Sequence, residues 1–213
     1  MMVAILYAMV GLLAGILVNL AADVLPGGEP LRTPDRSPRP VRCGAPRPWR
    51  ALVVELTLAG LFAYGWTRFG PSPQLWFVSL HLTLFALIFV IDLEHRLVLN
   101  RVVLAGVGLA LAGSLLWGQP PLPQALLGGI SGFALFLFIA LAKPKGMGMG
   151  DVKLAGLIGM VVGFPGVLVA LFIGVIVGGL GALLLLLSRR VQRGGYIPYA
   201  PFLVTGALVT LLQ

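Results

Sequence analysis

Long apolar runs separated by short polar segments follow one another along the whole of this 213-residue chain. The runs do not alternate apolar with polar residues, as the strands of a transmembrane β-barrel do. A helix needs about 20 apolar residues to cross a hydrocarbon core about 30 Å thick, and most of the runs approach that length. The pattern predicts an all-α, polytopic membrane helix bundle with about eight transmembrane helices. The predicted spans are residues 2–22, 51–67, 75–91, 102–117, 124–142, 152–164, 166–187 and 201–213.

The composition indicates a membrane environment. Hydrophobic residues make up 59% of the chain and charged residues 10%, whereas a soluble domain has about 25% charged residues. A soluble protein of this size lacks the interior volume to bury so much apolar surface. These values exclude a soluble enzyme and a disordered chain. We expect residues 1–213 to form a single membrane domain in contact with the lipid bilayer.

The basic residues indicate how the bundle is oriented. With eight spans, 14 of the 15 lysines and arginines fall on one side of the membrane, and Arg68 is the exception. The positive-inside rule makes that side cytoplasmic, so both termini are expected outside. The orientation of the protein in the membrane therefore accounts for the net charge of +8. We expect no nucleic-acid partner. Residues 23–50 are predicted to form a short arginine-rich cytoplasmic loop within the domain, which would also attract anionic lipid.

The first apolar run has two interpretations, a cleaved signal peptide or an uncleaved anchor. The run follows Met1 directly, without a basic segment before it, and Ala21–Ala22 is similar to a signal-peptide cleavage site. However, the run is long and the arginine-rich segment comes directly after it. These two features favour the uncleaved anchor.

Two aspartates stand at span ends, where a charge is costly. Asp92 follows the apolar run that ends the third span, and Asp151 opens the sixth. With eight spans, both lie at cytoplasmic helix ends and hence at the same depth. Two carboxyls that meet there cannot easily both ionise, so they would share a proton near neutral pH. One could then activate water while the other protonates a peptide carbonyl, which is aspartic-protease chemistry. Alternatively, each aspartate pairs separately with Arg96, His95 or Lys153.

Glycines precede the second aspartate, in the order Gly148-Met149-Gly150-Asp151. Gly148 and Gly150 would admit backbone conformations closed to other residues and let an extended substrate backbone approach. Met149 could line an adaptable apolar groove for that substrate or face the bilayer. Lys153, two residues after the aspartate, could hold nearby negative charge or extend to the membrane interface.

Three other polar residues allow more than one role. Glu55 in the second span could bind substrate or a methyl donor, or it could bridge two helices. The bridging role is favoured, because a buried acid needs a partner. His81 and His95 lie too far apart to form a metal site, and an isolated histidine is usually a packing or interface residue. We therefore predict no bound metal.

Several motifs resemble those of the type IV prepilin peptidases, a family of GxGD-type intramembrane aspartic proteases. Residues 146–154 (GMGMGDVKL) resemble the family signature, and residues 91–100 (IDLEHRLVLN) resemble its first aspartate motif. Residues 196–203 (YIPYAPFL) are similar to the family's entry to the last span. Residues 42–46 and 55–56 resemble the stretch that leads into the second span. The order of the motifs agrees with the family along nearly the whole chain.

The resemblance implies an endopeptidase in the inner (plasma) membrane, with its active site facing the cytoplasm. Such enzymes remove a short basic leader peptide from type IV prepilins or pseudopilins, usually after a glycine. Their indirect partners are the pilus or type II secretion assembly machinery. The resemblance assigns catalysis to Asp92 and Asp151, with no cofactor for the peptidase reaction. Many bacterial members also methylate the new N-terminus with S-adenosylmethionine. We expect the substrate to lie beside Gly148, Met149, Gly150, Lys153 and Glu55.

The chain departs from the family pattern at two positions. Longer bacterial members have two CxxC pairs that can hold zinc, but this chain has one cysteine, Cys43. A single thiol cannot supply a tetrathiolate site. The sequence therefore leaves methyltransferase activity, and with it the use of S-adenosylmethionine, open. Leu99 replaces the proline of the family's IPN ending, which would loosen that turn without removing the acid.

Two other functions stay open. A proton-coupled membrane transporter would also carry acids within its spans. Against it, the chain has no evident internal repeat, and no acid but Glu55 lies near a span midpoint. A non-catalytic assembly protein of the same fold would keep the helices without the reaction. A cleavage assay with a prepilin-like peptide separates both from a peptidase.

Overall fold

The computed structural model of the protein describes residues 2–28, 48–142, 147–187 and 199–213. These residues form eight α-helices and one short 3₁₀ helix, Leu25–Gly28, with no β-strand among them. The α-helices are α1 (Met2–Val24), α2 (Pro48–Phe69), α3 (Pro73–His95), α4 (Asn100–Leu116), α5 (Leu122–Ala142), α6 (Met149–Val162), α7 (Gly166–Leu187) and α8 (Ala200–Leu211). The structure confirms the all-α fold class.

Each predicted span corresponds to one of these helices, with ends that differ by a few residues. Among the described residues, the helices α1, α3 and α5 are long and apolar enough to cross a membrane. α4, α8 and the first part of α7, Gly166–Gly181, are apolar but shorter. The helices are those of an integral membrane protein, while the number of eight crossings stays a prediction.

The prediction that residues 23–50 form a loop is wrong at both ends of that segment. α1 and the 3₁₀ helix extend into it from one side, and α2 extends into it from the other. Asp23 and Arg50 are therefore helical residues, and their side chains form an ion pair of 2.9 Å. Composition does not reveal such a tertiary contact. The rest of the segment, including Cys43, lies outside the described residues, as does Tyr196 before α8.

α3 lies between the pair α1–α2 and the helices α4 and α8. It packs against α1 and α2 on one side and against α4 and α8 on the other. The most extensive contacts elsewhere join α1 to α2, α5 to α6 and α7 to α8. Large side chains such as Leu82, Phe85 and Ile91 are buried along α3. A helix that is apolar on all sides and enclosed by neighbours has a fixed place in the bundle, which suits it to carry a functional side chain.

Glycines let neighbouring helices approach closely at two contacts. On α5 and α6, Gly128 and Gly159 face each other, and a Cβ atom on either would overlap the backbone of the partner. Gly11 and Gly15 lie equally close to α2, where a Cβ atom would come within 2.6 Å of backbone atoms. Gly163 has a different role, because it ends α6 with a φ of 71°, a left-handed conformation that favours glycine.

Gly159→Ala is expected to lower the free energy of unfolding by about 1–3 kcal/mol, because the added methyl group forces α5 and α6 apart. Thermal unfolding in detergent measures the change. Gly179→Ala on α7 is the matched control, since nothing lies within 4 Å of its Cβ position. The control variant should be neutral or slightly stabilised. Equal losses in the two variants would contradict a tight contact at Gly159.

Candidate active site

The first aspartate, Asp92, lies in the last turn of α3. The helix starts at Pro73, after Ser72, whose side chain accepts the N–H of Leu75 at 3.3 Å and so caps the helix. It ends at Arg96, whose backbone N–H donates to the Asp92 carbonyl at 2.9 Å. The Asp92 side chain is buried, with 4% of the residue exposed. Both ends of the helix are therefore fixed, and Asp92 is held inside the bundle.

The second aspartate, Asp151, lies in the first turn of α6. Its Oδ2 accepts the backbone N–H of Gly148 at 3.3 Å, and its own N–H donates to the Gly148 carbonyl at 3.1 Å. The residue is 4% exposed. A carboxylate is stabilised in the first turn, because the unpaired N–H groups and the helix dipole are positive there. The start of α6 therefore both orients the carboxyl and favours its negative charge.

The two carboxyls lie close enough for their charges to repel each other, although α3 and α6 are distant in sequence. α6 and α3 share the neighbours α4 and α8, which bring them together. The Oδ2 atom of Asp92 has no hydrogen-bond partner within the part of the chain that the structure describes. Two carboxyls that are close and buried favour sharing one proton. Such a pair can activate a water molecule and protonate a carbonyl oxygen.

Two further groups act on Asp92. The guanidinium of Arg96 attracts its negative charge, and the backbone N–H of Ala200, at the start of α8, donates toward its carboxylate. Sequence reasoning did not include Ala200 in the site, because a backbone N–H has no side-chain signature. Residues 196–203 carried the available signal, since they resembled a family motif, but nothing in the sequence connects that motif to Asp92.

The two glycines beside Asp151 differ in their structural roles. Gly148 has φ −81° and ψ 150°, an extended conformation that any residue adopts, so the expected special backbone is wrong at this position. At Gly150, a Cβ atom would lie 2.9 Å from the Cβ of Val98. Glycine is thus needed there for close packing of α6 against the α3–α4 connection. Met149 lies between them with 56% of its surface exposed.

Lys153 connects α6 to α4. Its Nζ donates to the Asn100 side-chain oxygen at 2.8 Å in an exposed position. Asn100 is the first residue of α4, and Leu99 before it is buried. The hydrogen bond and the Gly150–Val98 contact therefore hold the start of α6 against the connection that follows Asp92.

Glu55 lies at the contact between α1 and α2. Its Oε1 accepts the Asn19 side-chain N–H at 3.4 Å, and Gly15 packs against its backbone. These contacts are of the helix-bridging kind. None of these contacts supports substrate binding by Glu55, which stays an expectation.

Both histidines belong to α3. His81 is buried on α3, where its Nδ1 lies 2.8 Å from the Phe77 carbonyl and its ring lies 4.3 Å from the Phe77 ring. Within the described ranges, no group of three or more histidine, cysteine, aspartate or glutamate side chains could hold a metal ion. Cys43 lies outside those ranges.

Arg96 is the one non-glycine residue with a positive φ in the described parts of the chain, at 53°. Because this left-handed conformation costs about 1–2 kcal/mol for most residues, Arg96→Gly should raise the free energy of unfolding by up to about 1 kcal/mol. Arg101→Gly, at a helical position of α4, should lower it by a similar amount. Thermal unfolding measures both. Destabilisation by Arg96→Gly would mean that the attraction between Arg96 and Asp92 exceeds the backbone strain.

The fold and the site together define an all-α membrane protein with a buried pair of carboxyls. The model of the type IV leader peptidase family matches residues 79–183, a range that contains Asp92 and Asp151. The match covers 105 of the 213 residues of the chain, so the chain is similar to this family over about half of its length. No solved structure matches it.

Curated relatives from three bacteria give the scale of the similarity. The chain is 29% identical to a prepilin leader peptidase/N-methyltransferase of Bacillus subtilis over 160 residues, which is 75% of this chain and 64% of the relative. A protein of the same name from Xanthomonas campestris is 30% identical over 70% of this chain and 51% of the relative. One from Pseudomonas putida is 30% identical over 75% of this chain and 57% of the relative. The chain thus spans between half and two thirds of the length of these relatives.

Proposed function

We propose that this protein is an aspartic-type endopeptidase that removes the short basic leader peptide from type IV prepilins or pseudopilins. Asp92 and Asp151 are the catalytic residues of the proposal. The observation that carries it is that two helices distant in sequence bury these carboxyls within reach of each other's charge. The family match adds support, because it spans both residues.

The reaction needs one proton on the pair of carboxyls. The ionised member takes a proton from water, and the water oxygen attacks the carbonyl carbon of the scissile peptide bond. The protonated member donates its proton to the carbonyl oxygen. Collapse of the tetrahedral intermediate breaks the C–N bond. The leaving amine receives a proton from the pair, and one hydroxyl group of the intermediate returns a proton to the pair as the carboxyl product forms. The pair finishes with one shared proton, ready for the next cycle.

The substrate lies against the exposed start of α6 in this proposal. Met149 offers a flexible apolar surface between Gly148 and Gly150. Lys153 is exposed next to them and bound to Asn100, so it borders the same surface. The scissile bond follows a glycine of the substrate. Glu55 is not included, since it faces the contact of α1 with α2.

Cleavage takes place on the cytoplasmic side of the inner membrane in this proposal. Its support is the charge asymmetry, with 14 of 15 basic residues on one side of an eight-span layout. The basic leader stays on that side, while the apolar segment of the substrate lies in the bilayer. The products then serve assembly of a pilus or a type II secretion system.

The peptidase reaction as proposed uses carboxyls and water alone. The relatives are named N-methyltransferases as well as peptidases, and S-adenosylmethionine enters only if this chain also methylates the new N-terminus. No step proposed for Asp92 or Asp151 depends on it. Incubation of the purified protein with cleaved pilin and labelled S-adenosylmethionine tests methylation separately from cleavage.

The experiment that tests the proposed function is cleavage of a prepilin-like peptide by the purified full chain in liposomes, followed by mass spectrometry. The expected products are the basic leader ending in glycine and the apolar remainder. A control peptide with the same composition and no basic leader should stay intact. An uncut prepilin-like peptide, at a protein concentration where the fold is verified, would refute the proposal.

A further inference from the structure

Within the described ranges, an ion network of Asp23, Arg50 and Glu94 crosses three helices beside the candidate active site. Arg50 on α2 donates through Nη1 to Glu94 Oε2 of α3 at 2.7 Å. Through Nη2 it donates to both carboxylate oxygens of Asp23 on α1, at 2.9 and 3.1 Å. The side chains of Arg50 and Glu94 are only 11% and 18% exposed, against 42% for Asp23. Charge-assisted hydrogen bonds are strong where water is largely excluded, so the Arg50–Glu94 contact is the firmer of the two.

Glu94 and Asp92 occupy different faces of the same helix turn. Residues two apart on an α-helix point about 200° away from each other. Glu94 faces α2 through its contact with Arg50. Asp92 faces Asp151 and the start of α8. The network therefore holds α3 from the side opposite the catalytic carboxyl, at nearly the same height along the helix.

α1 and α2 are suited to hold α3 in place. They pack tightly through Gly11 and Gly15, and outside this pair their main contacts are with α3. Nearer the other end of α3, the Tyr7 hydroxyl lies 2.7 Å from the Ser79 hydroxyl. α3 is thus joined to α1 and α2 by one polar contact near its start and by Arg50 beside Asp92. Rotation or sliding of the last turns of α3 would break the contact at Arg50.

We propose that Arg50 is a positioning residue: by binding Glu94 it fixes the rotation and depth of the end of α3, and so the place of the Asp92 carboxyl relative to Asp151. This inference rests on the proposed function for its effect on cleavage. A displacement of reacting groups by about 1 Å can lower a rate about a hundredfold. The contact with Asp23 joins Arg50 to α1 rather than to α3, and the Asp23 side chain is 42% exposed, so its loss should matter far less.

The test compares variants that remove the two contacts of Arg50 separately or together. Glu94→Ala removes the contact with α3, Asp23→Ala removes the contact with α1, and Arg50→Met removes both. The activity-independent readout is the distance between nitroxide labels at Leu93 and Met149, neighbours of the two aspartates that are 53% and 56% exposed. Labels are attached to cysteines at these positions in a Cys43→Ser background. The kinetic readout is kcat and KM for a prepilin-like peptide with unlabelled protein.

Glu94→Ala and Arg50→Met should each shift the label distance and lower kcat about tenfold, with KM changed less than about threefold. The double variant Glu94→Ala/Arg50→Met should resemble either single variant, because each single variant already removes the Arg50–Glu94 contact. Asp23→Ala should leave the label distance unchanged and kcat within about twofold. This difference separates positioning of Asp92 through Glu94 from a general effect of removing an ion pair of Arg50.

Two results would overturn the inference. One is an unchanged label distance in Glu94→Ala or in Arg50→Met. The other is an equal shift in Asp23→Ala. If Arg50→Met does not fold, the comparison of Glu94→Ala with Asp23→Ala decides. If the unsubstituted protein cleaves no prepilin-like peptide, the proposed function fails, and the label distances alone decide whether Arg50 positions the end of α3.

Discussion

Asp92→Asn and Asp151→Asn should each reduce cleavage of a prepilin-like peptide by about a thousandfold or more, while the protein stays folded in the membrane. Asparagine keeps the shape of the side chain but cannot take up or release a proton. The variants should also unfold at the same or a higher temperature than the original protein, because each removes an ionisable carboxyl from a close, buried pair. Initial cleavage rates and thermal unfolding in the same detergent measure the two effects.

Asp23→Asn is the internal control for this pair of variants. Its side chain is 42% exposed and bound to Arg50, away from the carboxyl pair, so cleavage should stay within about twofold of the original rate. Substantial cleavage by Asp92→Asn would refute the assignment of the pair. Loss of cleavage in all three variants, Asp23→Asn included, would point to a general defect in folding.

Replacement of the glycine before the cleavage site of the substrate should have the second large effect. With leucine at that position, cleavage should fall at least about a hundredfold, because a bulky side chain must fit beside the start of α6, where Gly150 already packs against Val98. Glycine also eases unwinding of the substrate helix, by about 1 kcal/mol relative to alanine. The measurement is kcat/KM for substrates with glycine, alanine and leucine at this one position.

A substitution ten residues along the apolar segment is the matched control for the substrate series. It leaves the scissile bond unchanged and should alter kcat/KM by less than about threefold, since that part of the substrate lies in the bilayer. Similar cleavage of the glycine, alanine and leucine substrates would contradict a narrow site at the start of α6, even if both aspartates prove essential.

The helices could be predicted from sequence because the apolar runs mark them directly. The segment at 23–50 shows where this reasoning ends. Charge and proline content suggested a loop beginning at Asp23 and ending at Arg50, yet both residues are helical. Their side chains meet across the bundle. A contact between residues so distant in sequence leaves no periodic signal.

The two carboxyl side chains of the candidate site could be predicted from the sequence, but the groups that surround them could not. Asp92 and Asp151 stood out because a carboxyl is costly at the edge of an apolar run. The N–H of Ala200 and the Arg50–Glu94 contact depend on how α8 and α2 pack against α3, which a single sequence does not contain. The expected backbone freedom of Gly148 was wrong because α6 begins with an ordinary extended residue.

The most direct test of the catalytic pair is the cleavage rate of the double variant Asp92→Asn/Asp151→Asn, measured beside the two single variants. Residues that act as one unit are not additive, since loss of either already removes the whole function of the unit. All three variants should therefore cleave a prepilin-like peptide at the same low rate. Partial activity in each single variant, with a double-variant rate reduced by the product of the two losses, would contradict a carboxyl pair that shares one proton.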